Sequence, residues 1–143
     1  MIRDKTVILS CPGHVYPIGD MSYTSKQLGA TGEDLAAAFL TRHGYRVIAR
    51  NVRARWGEID IVARQKERLH FVEVKTRRSL KHGQPYEAVQ TWKVQHLKKA
   101  AYVFMIREGL PLSTPLSMDV ISILHTEGAL PQIKMYENIE VRS

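Results

Sequence analysis

The run Gly57-Glu58-Ile59-Asp60-Ile61-Val62, followed after a polar hairpin by Phe71-Val72-Glu73-Val74-Lys75, decides how this chain folds. Both runs are apolar and rich in β-branched residues, the composition of neighbouring strands. Each nevertheless carries charge where a hydrophobic residue is expected. An unpaired carboxylate is costly to bury, so these acids need a partner or a metal. Alternation along the second run puts Phe71, Glu73 and Lys75 on one face and His70, Val72 and Val74 on the other. An acid and a lysine therefore leave one strand together, with Asp60 on the strand before. Such a set can hold a divalent metal and a water beside a phosphate. The competing reading is a structural ion pair with Lys75 as the partner.

Working outward, residues 45–52 alternate and read as a first strand. The charged turn Arg53-Ala54-Arg55-Trp56-Gly57 joins it to a second strand over 58–64, and a third covers 69–76. Residues 25–43 have helical spacing through Leu28, Leu35 and Phe39, with Gly44 as the stop. Downstream, 77–85 is a basic loop. A helix over 88–107 carries Val94, Leu97, Ala101 and Phe104 or Met105 as its apolar stripe and is stopped by Gly109 and Pro111. Residues 118–124 make a fourth strand and 133–139 a fifth, at the edge. The expected fold is α/β, with helices packed against a mixed sheet of four to five strands. Residues 1–24, with Pro12, Gly13, Pro17 and Gly19 and no period, read as a flexible leader. Organised sequence begins just after Met21, a second candidate start, and 25–143 forms the single domain.

With 143 residues the chain is long enough for one domain with a real core. Its formal net charge of +7 points to a polyanionic partner, with nucleic acid first. The single cysteine, Cys11, excludes an intramolecular disulfide and a thiolate zinc cage, and suits a reducing compartment. No apolar run approaches the roughly 20 residues a membrane helix needs. The short run Val7-Ile8-Leu9 does not make a signal peptide, so a cytoplasmic location without membrane contact is expected. None of the six histidines has metal-motif spacing, and each reads as a packing or surface residue.

Glu33 stands out on the first helix. Its neighbours at i+3, i+4 and i+7 are Ala36, Ala37 and Leu40, so it leans toward the core. The alternative is a first-turn acid favoured by the helix dipole. An acid on a first helix, an aspartate on one strand and Glu-x-Lys on the next resembles the PD-(D/E)xK nuclease superfamily. That is the restriction-endonuclease-like fold, shared with archaeal Holliday-junction resolvases. More narrowly, six features look like the bacterial YraN family: Gly32-Glu33, Asn51-Val52-Arg53, Gly57-Glu58-Ile59-Asp60, Phe71-Val72-Glu73-Val74-Lys75-Thr76-Arg77, Glu87-Ala88-Val89, and the later Lys93 with Asp119-Val120. The likeness spans residues 25–139. Ile59 stands where the superfamily motif has proline. Ser117-Met118-Asp119 stands where relatives often carry Arg-Phe-Asp, which removes an arginine from that place.

The resemblance implies a metal-dependent, nuclease-like hydrolase of phosphodiester bonds in DNA, acting on structured or branched DNA in repair or recombination. It implies Mg²⁺ or Mn²⁺ as cofactor and assigns catalysis to Glu33, Asp60, Glu73 and Lys75. Asp60, Glu73 and the Val74 carbonyl would supply the metal oxygens. Glu58 shares a strand face with Asp60 by alternation, and the family match selects Asp60 over it. Arg53, Arg55, Arg77, Arg78, Lys81 and Lys93 form the expected nucleic-acid footprint, with His82, Lys98 and Lys99 nearby. Lys93 also reads as a plain surface lysine, and Trp56 as a packing residue rather than a base-stacking one. Asp119 reads as a structural cap or pairing acid. Related resolvases work as dimers, so a homodimer is the implied assembly. The rival readings are a non-catalytic nucleic-acid-binding module with the same fold, and an adaptor whose basic face meets an acidic protein.

Overall fold

The computed structural model describes residues 3–8, 25–55, 57–78, 91–124 and 131–139. In chain order these form β1 (Arg3–Ile8), α1 (Ser25–Arg42), β2 (Arg46–Ala54), β3 (Gly57–Gln65), β4 (Arg68–Arg77), α2 (Thr91–Arg107), β5 (Leu116–Leu124) and β6 (Gln132–Glu137). The strands make one mixed sheet in the order β1-β6-β5-β4-β3-β2. Every neighbouring pair is antiparallel except β4 and β5, which run parallel, and α2 lies in the connection between those two. A parallel pair needs such a crossover, because a tight turn cannot return the chain to the same end of the sheet.

Among the described residues the sheet has six strands, against the four or five expected. The extra strand is β1, which lies within the stretch read as a leader and pairs along β6 from Arg3↔Glu137 to Ile8↔Gln132. The rest of that stretch, residues 1–2 and 9–24, lies outside the described residues.

Each helix covers one face. Leu35, Ala36, Phe39 and Leu40 of α1 pack with Tyr45, Ile61, Ala63, Val72, Ile121, Ile123, Ile133 and Met135. Leu97, Ala100, Ala101, Phe104 and Met105 of α2 pack with Ile59, Val62, Leu69, Phe71 and Met118. The 3.6-residue period of each helix and the two-residue period of the strands produce this sorting. Both helices stop as their glycines require. Gly44 and Gly109 take left-handed backbones (φ +84° and +65°). Tyr45 N–H then donates to Leu40 O and Leu110 N–H to Met105 O, the Schellman closure.

α1 sits unusually close to β4. A Cβ built on Gly32 would fall 2.0 Å from Thr76 Oγ1, so any larger residue would have to displace the Thr76 side chain or the helix at this crossing. The crossing places the next residue, Glu33, beside the far ends of β3 and β4. No helix among the described residues is long and apolar enough to span a membrane.

Candidate functional site

Asp60 lies at a break in two strands at once. The β3–β4 ladder runs from Gln65↔Arg68 to Ile61↔Val72 and stops there. On the other side, β2 pairs with β3 at Arg50↔Ile61 and Val52↔Ile59, but the opposed Asn51 and Asp60 make no bridge. Ala49 and Val52 both pack with the α2 cluster, as do Ile59 and Val62. In a regular strand, residues three apart face opposite ways. Both strands therefore turn over at the Asn51/Asp60 pair. Asn51 absorbs the turn with a left-handed backbone, φ 52°, a conformation Asn tolerates better than most residues.

The turn releases Asp60 from the ladder and swings it toward β4. Its Oδ2 accepts a hydrogen bond of 2.8 Å from the Val74 backbone N–H. The Glu73 carboxyl is also hydrogen-bonded to it. Glu73 is almost fully buried, at 6% exposure, and its Oε1 lies 3.2 Å from Lys75 Nζ. Burial, the Glu73 charge and the more distant Glu33 charge outweigh the Val74 hydrogen bond and push the Asp60 pKa up to about 7. Two acids side by side in a largely buried place cannot both ionise cheaply, and the Lys75 charge offsets only one of them.

Glu33 approaches from α1. Burial raises its pKa, while a hydrogen bond from Asn51 and the Arg50 charge oppose the rise. Arg50 is itself drawn to Asp34, with Nη2 at 2.7 Å from Oδ1. The Asn51 amide nitrogen faces two acids, 2.9 Å from Glu33 Oε2 and 3.2 Å from Glu58 Oε1; an oxygen in its place would meet only acceptors. Val72 and Val74 pack on the α1 side, so Glu73 projects toward the α2 side. The acids thus come from both layers, and Asp60, in the gap, is hydrogen-bonded to Glu73 and feels the charge of Glu33. Among the described residues, no cluster of three His, Cys, Asp or Glu side chains is arranged to hold a metal by itself. The protein offers two carboxylates, which is what Mg²⁺ usually takes, with backbone, water and phosphate oxygens completing its shell.

The expected basic footprint divides. Arg53, Arg55 and Arg78 are exposed, as are Lys98 and Lys99 on α2. The Arg53 carbonyl accepts from Arg107 Nη1, tying the β2–β3 tip to the end of α2. Arg77 is only half exposed, and its Nε is buried without a hydrogen-bond partner among the described residues. Lys93 lies on α2, but its side chain, like Lys81, His82 and Trp56, is outside the described residues. Glu58, the alternative ligand, is exposed at the rim.

Asp119 stands apart from this pocket. Buried at 2% exposure, it accepts from Ser117 Oγ (2.5 Å) and Asn138 N–H (2.9 Å) and pairs with His70 Nδ1 at 2.6 Å. The Tyr45 ring meets His70 edge-on, and the Tyr45 hydroxyl donates to Glu137. This network joins the start of β2 to β4, β5 and the end of β6. Pairing is the role expected of Asp119. That His70 would be its partner was not readable from the sequence, because His70 and Asp119 stand 49 positions apart. Asn51 and the Gly32–Thr76 crossing were missed as well. A mid-helix glycine and an asparagine inside a strand were the available signals.

A family model described as "Uncharacterised protein family UPF0102" matches residues 32–123. A UPF0102 protein of Geobacter sulfurreducens is 46% identical over 122 residues, covering 85% of this chain and 94% of its own length. One from Syntrophomonas wolfei is 44% identical over 105 residues, with 73% and 90% covered. One from Caldicellulosiruptor bescii is 51% identical over 80 residues, with 56% and 67% covered.

Proposed function

The chain belongs to the uncharacterised protein family UPF0102, and from the acid pair at its strand break we propose a metal-dependent nuclease of the restriction-endonuclease-like fold. Its substrate in this reading is DNA, with branched or otherwise structured DNA of repair or recombination as the class. The observation that carries the reading is Asp60 hydrogen-bonded to the buried Glu73, with Lys75 3.2 Å from the same Glu73. An acid held at a pKa of about 7 by burial and a second acid is a site whose charge a cation would balance.

A divalent cation such as Mg²⁺ or Mn²⁺, held by Asp60, Glu73 and the Val74 carbonyl, would neutralise charge on the phosphodiester and acidify a water. The Val74 N–H fixes the Asp60 carboxylate. Lys75 orients the attacking water and stabilises charge on the phosphate oxygens. Glu33 holds a second water at the open side. Arg53, Arg55, Arg77 and Arg78, with Lys81 and Lys93, contact backbone phosphates and so bind without reading sequence. The chain works in the cytoplasm as a homodimer in this reading.

The test is cleavage of duplex, flapped, nicked and four-way DNA with Mg²⁺ or Mn²⁺, comparing wild type with Glu73→Ala. Metal-dependent cleavage that Glu73→Ala abolishes supports the proposal. Inactivity on every substrate, with both proteins alike in metal binding, overturns it. One observation favours a second reading, a DNA-binding module without catalysis: the Glu73–Lys75 ion pair already offsets one charge without metal. That module would show salt-sensitive DNA retention unchanged by Asp60→Ala.

A further inference from the structure

We propose that Asn51 is a positioning residue that holds Glu33 against the Asp60 pocket, an inference resting on the nuclease reading above. Two facts about Asn51 have different causes, and only asparagine satisfies both. The first is its backbone. At φ 52° within β2, it sits where that strand and β3 turn over together. Glycine would adopt this conformation more cheaply, so the backbone alone does not call for asparagine. The second is its side chain. The amide nitrogen carries two hydrogens and faces two carboxylates, Glu33 Oε2 at 2.9 Å and Glu58 Oε1 at 3.2 Å. Aspartate keeps the shape but puts a third negative charge there.

The geometry gives the two acids different work. Glu58 is exposed and Glu33 is half-buried. Glu33 also lies one residue from the glycine that lets α1 touch β4. The helix therefore sets where the Glu33 backbone stands, and Asn51 sets where its carboxylate points. The strand turnover that frees Asp60 is the same one that aims Asn51, because the two residues oppose each other across β2 and β3. One local backbone feature thus serves both acids. Without the amide, Glu33 and Glu58 face each other as like charges, and Glu33 rotates away from Asp60.

The experiment compares wild type, Asn51→Gly, Asn51→Asp and the double variant Asn51→Gly/Glu58→Gln. Asn51→Gly keeps the left-handed backbone and removes the amide, so melting temperature checks the fold. Side-chain NMR of glutamate-labelled protein, without metal or DNA, reads whether Glu33 occupies one rotamer. Steady-state cleavage of branched DNA with Mg²⁺ reads function. We expect Asn51→Gly to fold, to lose the single Glu33 rotamer, and to lose at least tenfold in kcat at unchanged KM. Asn51→Asp should lose more. In the double variant, removing the Glu58 charge should restore most of the kcat, which a merely structural role would not permit. A single Glu33 rotamer persisting in Asn51→Gly, or full kcat despite its loss, overturns the inference. If wild type neither binds metal nor cleaves, the nuclease reading fails, and the NMR arm alone decides whether Asn51 holds Glu33.

Discussion

Replacing Asp60 with asparagine should stabilise the metal-free protein, by an amount that grows as pH rises above the ordinary carboxyl pKa of 3.8 and is complete above about 7. The substituted amide would keep an oxygen for the Val74 N–H and remove the charge beside Glu73. In the folded chain the Asp60 pKa is raised from an ordinary 3.8 to about 7. Between those values the folded state holds a proton that the unfolded state has released, so wild-type stability falls as pH rises through the window and is level above it. At about 1.4 kcal/mol per pKa unit, a rise of roughly three units sets a ceiling of about 4 kcal/mol. Water at the partly open carboxylate brings the expectation to about 2–3 kcal/mol. For a domain of this size that is a melting-temperature gain of roughly 5–10 °C. Thermal melts in EDTA should show no gap between the two proteins near pH 4, a widening gap through pH 7, and the full gap at pH 8. A gap of equal size at pH 5 and pH 8, or a more stable wild type at pH 8, would contradict a raised Asp60 pKa in the folded chain. With saturating Mg²⁺ at pH 8 the proposed site adds the converse: wild type gains stability by ligand linkage and the variant does not.

The other predictions concern the frame around the pair. Gly32→Ala should destabilise the fold by about 1–3 kcal/mol, because the clash with Thr76 outweighs alanine's better helix propensity; urea unfolding measures it, and a stabilised variant would contradict the crossing. Asp119→Ala should cost about 3–5 kcal/mol, since it leaves His70, Ser117 and the Asn138 N–H unpaired in the interior. Any cleavage activity should then survive per folded molecule, and a selective loss of activity would place Asp119 in the chemistry. Mn²⁺ affinity should rise with pH through about 7, with proton release on binding, because the cation must displace the Asp60 proton. Calorimetry in buffers of different ionisation enthalpy reads this directly, and a pH-independent affinity would count against Asp60 as a ligand.

The sequence carried the elements well where one physical signal dominated. Alternation and β-branching marked β3 and β4, and Gly44 and Gly109 marked both helix ends. The pairing of Glu73 with Lys75 was legible because two residues on one strand share a face. Period-two reasoning failed at Asp60 for the same reason that it works elsewhere. It assumes an unbroken strand, and β3 turns over at that residue. Glu58 was therefore grouped with Asp60, although it lies exposed at the rim where Asn51 donates to it. β1 escaped notice because a strand of six residues at a sheet edge needs little hydrophobicity of its own. The His70–Asp119 link joins two strands through tertiary packing, and no local pattern encodes it.

The most direct measurement is anomalous diffraction from crystals equilibrated with Mn²⁺ at pH 8. The expected result is a peak between the carboxylates of Asp60 and Glu73, within bonding distance of both, that disappears in Glu73→Ala. Two carboxyls still hydrogen-bonded to each other, with no peak at saturating Mn²⁺, would contradict it.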